Sequence, residues 1–286
     1  MYLVPDSDSG RSLPPIAPDW TVLVPFFNER DYLSATIASL AAQTVPLTLI
    51  LIDNGSTDDG AEIARAACQA HSMDYLLLTQ TRPGKVAALQ TGLGWVRSRW
   101  VATCDADTLY PPGYLAAAQN VLSRPGHVVA GAYFIGPEGT EAGRLARAWS
   151  IRAAARVLPR QSHTGGAGQA FCFPTLFAAG GFDTDRWNYV LEDHEVIHRV
   201  MRHGAMGYAG DLWCMPSPRE RDRASIRWTL AERLTYSLAA PLAGDWFFYS
   251  FLARRLRRRH LSSDRIRERR YQPPEGQTFA SLDPVR

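Results

Sequence analysis

Apolar residues in this chain fall into short runs separated by stretches of helical spacing. Thr21-Val22-Leu23-Val24-Pro25-Phe26-Phe27 reads as a strand that breaks into a loop at Asn28-Glu29. Tyr32 to Gln43 carries Leu33, Ile37 and Leu40 at i, i+4 and i+7, one face of a helix. A second strand, Leu47 to Ile52, ends on Asp53-Asn54-Gly55, and a third, Trp100 to Cys104, ends on Asp105-Ala106-Asp107. Between them, Ser56-x-x-Asp59 has the spacing of a capping box for a helix through Ala61, Ala64 and Cys68. Val86 to Arg97 is a further helical stretch behind Gly84-Lys85. Strand, helix, strand with short loops is a βαβ unit, which favours a parallel sheet with ligands gathered at the strands' carboxyl ends.

Acidic residues sit at those ends. Glu29, Asp53, Asp105 and Asp107 all follow predicted strands, so three strand ends bring carboxylates to one rim. If the segment stays extended, Asp105 and Asp107 face the same way, since strand side chains repeat every two residues. Two such carboxylates are hard oxygen ligands for a divalent cation that could bridge to a diphosphate. Further along, Val196 and Val200 share a helical face and place Glu192-Asp193 at a helix start. The glycines of Gly165-Gly166-Ala167-Gly168 allow close backbone approach to a sugar or phosphate. His194 and His198 lie one turn apart, but a third metal ligand cannot be assigned to them.

Taken in order, Val-Pro-Phe-Phe-Asn-Glu (24–29), Ile-Asp-Asn-Gly-Ser-Thr-Asp-Asp-Gly (52–60), Gly84-Lys85, Asp105-Ala106-Asp107, Gly180-Gly181-Phe182-Asp183 and Glu192-Asp193 resemble a family-2 glycosyltransferase of the inverting, non-processive type. The resemblance covers about residues 19–215. It implies an α/β GT-A fold, with a mixed, mostly parallel sheet flanked by helices and a helical C-terminal appendage. It also implies a nucleotide-sugar donor, UDP-linked by the family's habit, and Mg2+ or Mn2+ as cofactor. Residue by residue, it puts Pro25, Phe27, Glu29, Asp53, Lys85 and Asp105 on the donor, with Asp53 at the nucleoside. It makes Asp107 the direct metal ligand, with Asp105 beside it. Arg219, Arg221, Arg223 and Arg227 could supply a diphosphate clamp, with Arg223 and Arg227 as the candidates, because a guanidinium pairs well with phosphate. Gly166, Gly168, Glu192 and Trp228 fall on the acceptor side, and Asp193 is the base that takes the acceptor proton. A cation at the leaving diphosphate matters because an opposite charge at 4 Å is worth about 4 kcal/mol at an effective dielectric of 20. Processive relatives carry Gln-x-x-Arg-Trp; here Arg227-Trp228 is present but position 224 is alanine, so transfer of one sugar is expected.

With 286 residues, 46% of them hydrophobic, the chain can bury a large core. The net charge of +3 conceals a basic block at Arg254, Arg255, Arg257, Arg258 and Arg259. Four scattered cysteines without Cys-x-x-Cys spacing point to buried, reduced thiols and a cytoplasmic location. Residues 1–18 read as a flexible leader, 19–220 as the transferase domain, 221–270 as a basic and aromatic helical appendage, and 271–286 as a disordered tail. Leu234 to Ala253 is apolar but interrupted by Pro241, Gly244 and Asp245. It reads as an interfacial segment on the cytoplasmic face of the inner membrane, against anionic lipid, with a lipid-linked acceptor as the corollary. Nucleic acid is not an expected partner, because no aromatic stacking motif interleaves with the arginines. Two other readings stand beside this one. A sugar nucleotidyltransferase would need a Gly-rich, Arg/Lys-bearing signature that Val24 to Arg30 lacks. A non-catalytic relative is disfavoured by the presence of Asp105, Asp107 and Asp193.

Overall fold

A computed structural model describes residues 19–136, 139–217 and 228–266, without the side chains of Ala240 and Pro241. The expected leader and tail, and Arg219, Arg221, Arg223, Arg227 and Ala224 with them, lie outside the described residues. The elements run β1 (Trp20–Phe26), α1 (Arg30–Ala41), β2 (Leu47–Asp53), α2 (Gly60–Ala70), β3 (Tyr75–Thr79), α3 (Lys85–Leu93) and β4 (Trp100–Cys104). Then come β5 (Thr108–Leu109), α4 (Tyr114–Leu122), β6 (His127–Gly131), β7 (Tyr133–Phe134), α5 (Glu141–Val157), β8 (Gly168–Cys172), α6 (Phe173–Ala178), α7 (Glu192–Val200), β9 (Ala205–Gly207) and β10 (Trp213–Pro216). The C-terminal part holds α8 (Leu230–Asp245), a π-helical segment (Trp246–Leu252), α9 (Ala253–Arg258) and the short α10 (Ser263–Ile266).

Seven strands form the main sheet in the order β3-β2-β1-β4-β8-β6-β9. The first four are parallel, and β8 runs antiparallel to both β4 and β6. The sheet is therefore mixed and mostly parallel. Val22, Leu23, Val24, Leu49, Ile50, Leu51 and Ile52 are buried, as continuous apolar runs are when helices cover both sheet faces. One core lies between the sheet and α1, α2 and α4, where Leu33, Ile37 and Leu40 pack as their spacing predicts. A second core on the opposite face holds Val86, Leu89, Val196, Ile197 and Val200. Pro25 is tolerated in central β1 because pairing with β4 has already ended at Leu23.

The structure departs from the sequence expectations at four places. Asp105-Ala106-Asp107 is not extended: β4 stops at Cys104 and the motif forms a turn into β5. The Ser56/Asp59 capping box does not form, since Asp59 makes no cap bond and Ser56 Oγ instead accepts from the Asn28 N–H. The helix after Lys85 ends at Leu93 and not at Arg97. Finally, residues 234–253 do not present one continuous apolar surface: Phe247, Phe248 and Leu252 turn inward, while Leu234, Leu238, Leu242 and Trp246 stay exposed. Phe247, Phe248 and Leu252 are buried with Trp187, Val190 and Tyr236 in a third core that fastens the appendage to the domain. Among the described residues, no helix is long and apolar enough to cross a membrane.

Candidate active site

Parallel pairing aligns Phe26, Asp53 and Thr79 across β1, β2 and β3, so their loops open on one edge of the sheet. Asp53 closes β2, and its Oδ1 accepts from the Ser56 N–H at 2.8 Å. Asn54 stitches this corner together. Its Nδ2 donates to the Gln80 and Arg82 carbonyls, and its Oδ1 accepts from the Gly84 N–H at 2.7 Å. Gly84 has φ +119°, and a Cβ there would come 2.7 Å from Ser263 Oγ, so no other residue fits. Asn28 Oδ1 accepts from the Thr57 N–H and joins the β1 loop to the β2 loop. Pro25 and Phe27 are half-buried at the end of β1, and the Glu29 carbonyl opens α1 by accepting from the N–H groups of Tyr32 and Leu33.

The centre of the site is a knot of charges. Lys85 Nζ lies 2.6 Å from Asp105 Oδ1 and 3.4 Å from Glu192 Oε1, bridging the turn after β4 to the start of α7. Burial pulls the Lys85 ammonium pKa down, but Asp105 and Glu192 outweigh it and hold it well above the lysine range. Burial also raises the Glu192 carboxyl pKa, against the opposing pull of Lys85. Asp193 moves the other way. Burial favours its neutral form, yet His194, whose Nδ1 lies 3.0 Å from Asp193 Oδ1, and then Lys85 bring it below the ordinary carboxylate value. In return Asp193 lifts the His194 pKa above the ordinary imidazole value, against its burial.

Supporting contacts fix this knot in place. The Asp105 N–H donates to the Tyr110 hydroxyl, which donates on to the Ala167 carbonyl, tying the turn to the glycine loop. Thr36 Oγ1 donates to the Ala106 carbonyl from α1. Asp107 is buried, and Ser217 both donates its N–H to the Asp107 carbonyl and its hydroxyl to Asp107 Oδ2. A Cβ on Gly166 would stand 3.0 Å from the Asp193 Cβ, so the glycine loop lies directly on the candidate base. Gly168 instead opens β8, where a Cβ would meet Cys214 Sγ at 3.0 Å; its smallness serves the sheet. Trp228 packs edge-on against His194 with ring centroids 5.2 Å apart. Leu191, immediately before α7, has φ +64° and ψ +28°. That left-handed conformation is costly for leucine, by roughly 1–2 kcal/mol, and strain of this kind concentrates at functional sites.

The chain matches the glycosyl transferase family 2 model over residues 21–178. The chain belongs to that family. It is 29% identical over 143 residues to the undecaprenyl-phosphate 4-deoxy-4-formamido-L-arabinose transferase of Serratia proteamaculans, which covers 48% of this chain and 41% of the relative. The chain thus spans less than half the length of the curated relatives it matches. In structure it is similar to a mannosyltransferase from Pyrobaculum calidifontis in complex with GDP-Man and Mn2+. The TM-score is 0.61 at 23% identity, over 83% of this chain and 74% of that one. It is also similar to S. aureus TarS 1-349 in complex with UDP-GlcNAc, with a TM-score of 0.54 at 16% identity, over 77% and 64%. These likenesses establish the GT-A architecture that the family resemblance implied.

The family match ends before α7, so Glu192 and Asp193 join the matched segment through Lys85 and Gly166 in space. Sequence reasoning assigned no role to Asn54, Tyr110 and Ser217, whose hydrogen bonds tie together loops distant in the chain. Among the described residues, no group of three or more His, Cys, Asp or Glu side chains is placed to hold a metal ion. His198 is engaged elsewhere, with Nε2 3.0 Å from Asp245 Oδ1. The carboxylates of Asp105 and Asp107 are nevertheless the donor set that Mg2+ or Mn2+ takes, since such ions are bound through one or two carboxylates plus substrate phosphates.

Proposed function

We propose that this family-2 protein transfers one sugar from a nucleotide-diphosphate donor, UDP-linked, to an acceptor hydroxyl with inversion at the anomeric carbon. The observation that carries the reading is the knot of Lys85, Asp105, Glu192 and Asp193, with Gly166 against it. It joins a cation, carboxylates for a divalent ion and a candidate base at one sheet edge. Asp53, Lys85 and the residues of the β1 loop (Pro25, Phe27 and Glu29) bind the donor, and Arg223 and Arg227 are the proposed diphosphate clamp. Asp107, with Asp105, would hold Mg2+ or Mn2+, which supplies Lewis-acid stabilisation of charge on the departing diphosphate. Lys85 adds fixed positive charge on the same side and exchanges part of its pairing with Asp105 for donor phosphate.

Asp193 accepts the proton of the attacking hydroxyl, a role commonly worth about 10²–10⁴-fold in rate. Glu192 and Trp228 border the acceptor. The relative's name supports a lipid-linked acceptor, and it also sharpens the chemistry. A phosphate monoester is already ionised near neutral pH, so a phosphate acceptor needs no base, whereas a hydroxyl does.

The test is a panel of UDP, GDP, dTDP and CDP followed by thermal shift, with Mn2+ and with EDTA, beside Asp107→Asn. The reading expects stabilisation by one nucleotide that requires metal and is lost in the variant. No stabilisation by any nucleotide in folded protein would remove the donor site and leave a non-catalytic family member.

A further inference from the structure

The third core leaves one face of the appendage uncovered. Along α8 and into the π-helical segment, Leu230, Leu234, Leu238, Leu242 and Trp246 recur every four residues, and all are 50–92% exposed. This is not a frayed element. Its opposite face buries Glu232 and Tyr236, and its start is closed by a capping box between Thr229 and Glu232. On α5, Leu145, Trp149 and Val157 are likewise 54–77% exposed, while Ala148 and Ile151 face inward. The two helices are joined where α5 ends. Gln161 Nε2 donates to the carbonyls of Tyr236 and Ser237, and the Ser162 N–H donates to the Tyr236 hydroxyl. Two apolar ridges thus leave one junction.

Charge decides among occupants. α5 carries Arg144, Arg147, Arg152 and Arg156 against the single acid Glu141, and Arg254 and Arg258 are exposed beyond Trp246. A second copy docking through the same ridges would set its own arginine-rich patch against this one. An anionic surface pairs with them instead, and exposed leucine and tryptophan beside arginine are what the headgroup boundary of a bilayer accepts.

We propose that the exposed ridges of α8 and α5 form a docking surface for an anionic lipid bilayer. The surface stands on the geometry of these helices alone. Its use rests on the glycosyl-transfer reading: α8 starts two residues after Trp228, which packs on His194 beside Asp193. Docking therefore turns the acceptor side of the site towards the leaflet, where a lipid-linked acceptor would be presented.

The experiment is flotation of the full chain with vesicles of phosphatidylcholine, with and without phosphatidylglycerol. It is repeated for Leu234→Gln/Leu238→Gln/Leu242→Gln and for Arg152→Gln/Arg156→Gln, with circular dichroism and melting curves to show that the variants remain folded. The proposal expects binding that needs phosphatidylglycerol and weakens with salt. The leucine variant should bind roughly 100-fold more weakly, and the arginine variant should lose about a third of the salt dependence, as two of six surface arginines. Absence of binding at any phosphatidylglycerol content overturns the proposal, as does equal binding by the leucine variant. So does concentration-dependent self-association in light scattering that the leucine variant abolishes, which would assign the ridge to a second copy. Nucleotide binding measured on the same preparations separates the two readings, since vesicle binding without nucleotide binding would retain the surface and remove the transferase.

Discussion

Replacing Lys85 with methionine removes the ammonium that Asp105 and Glu192 share while keeping most of the apolar stem. At 2.6 and 3.4 Å, the two attractions come to about 6 and about 5 kcal/mol at an effective dielectric of 20. Most of that is cancelled by the cost of drying three charged groups. The observable quantity is the penalty of leaving two carboxylates without their cation, about 3–5 kcal/mol for a fully buried pair. Lys85 and Asp105 keep some solvent contact, which trims the expectation to roughly 2–4 kcal/mol. At about 2–4 °C per kcal/mol for chains near this size, Tm falls by roughly 4–16 °C.

The pH dependence gives the sharper test. Glu192 already has a raised folded-state pKa, from burial, with Lys85 opposing the rise; removing Lys85 raises it further. A carboxyl whose pKa is higher folded than unfolded lends stability fully present below about pH 4.3 and lost as pH rises through the folded value. The deficit of Lys85→Met relative to the parent must therefore be small near pH 4.5 and grow towards pH 8. Denaturant melts at these two values measure it. An equal deficit at both, or a larger one in acid, would show that Lys85 acts through packing and not through charge.

Asp193→Asn should lower kcat by about 10²–10⁴-fold with KM for the donor little changed; an intact rate would point to an acceptor that needs no base, such as a phosphate. His194→Gln should alter the acidic limb of kcat/KM. In the parent, a protonated His194 holds Asp193 in its weaker-base state, so activity rises with pH through the imidazole's raised pKa. That limb is expected to vanish in the variant, and its persistence would exclude His194 as its origin. Glu232→Gln breaks a fully buried carboxylate away from Arg255 at 2.9 Å and Arg259 at 3.1 Å, for a loss of about 3 kcal/mol by chemical denaturation. Because Glu232 has a lowered pKa, offset by burial but set by its Thr229 and arginine partners, that contribution is present above about pH 4.3 and disappears as pH falls through the folded value. Leu191→Gly should leave stability unchanged or raise it by up to about 1 kcal/mol, since glycine adopts the left-handed conformation freely; a large loss would mean that the side chain is needed in its core.

What the sequence made legible was whatever depends on period and order. Leu33, Ile37 and Leu40, the runs of β1, β2 and β4, and the placement of Glu192-Asp193 at a helix start all follow from local spacing, and the structure has each of them. The errors came where a tertiary partner outcompeted a local one. Ser56 has the spacing to cap α2, but the Asn28 backbone reaches it first. Asp105 has the spacing to stay extended, but its N–H is claimed by Tyr110 and its carboxylate by Lys85, twenty residues earlier. The apolar stretch near the C-terminus shows the same competition on a larger scale. Hydropathy merges Leu234 to Ala253 into one segment, because a window average does not record which side chains find partners. In the fold, Phe247 and Phe248 find Trp187 and Tyr236, while Leu234, Leu238 and Leu242 remain on the exposed side of the preceding helix. Burial divides this segment by helix face, so Tyr236, Phe247 and Phe248 are the anchor, and Leu234, Leu238, Leu242 and Trp246 are the surface left for something else to cover.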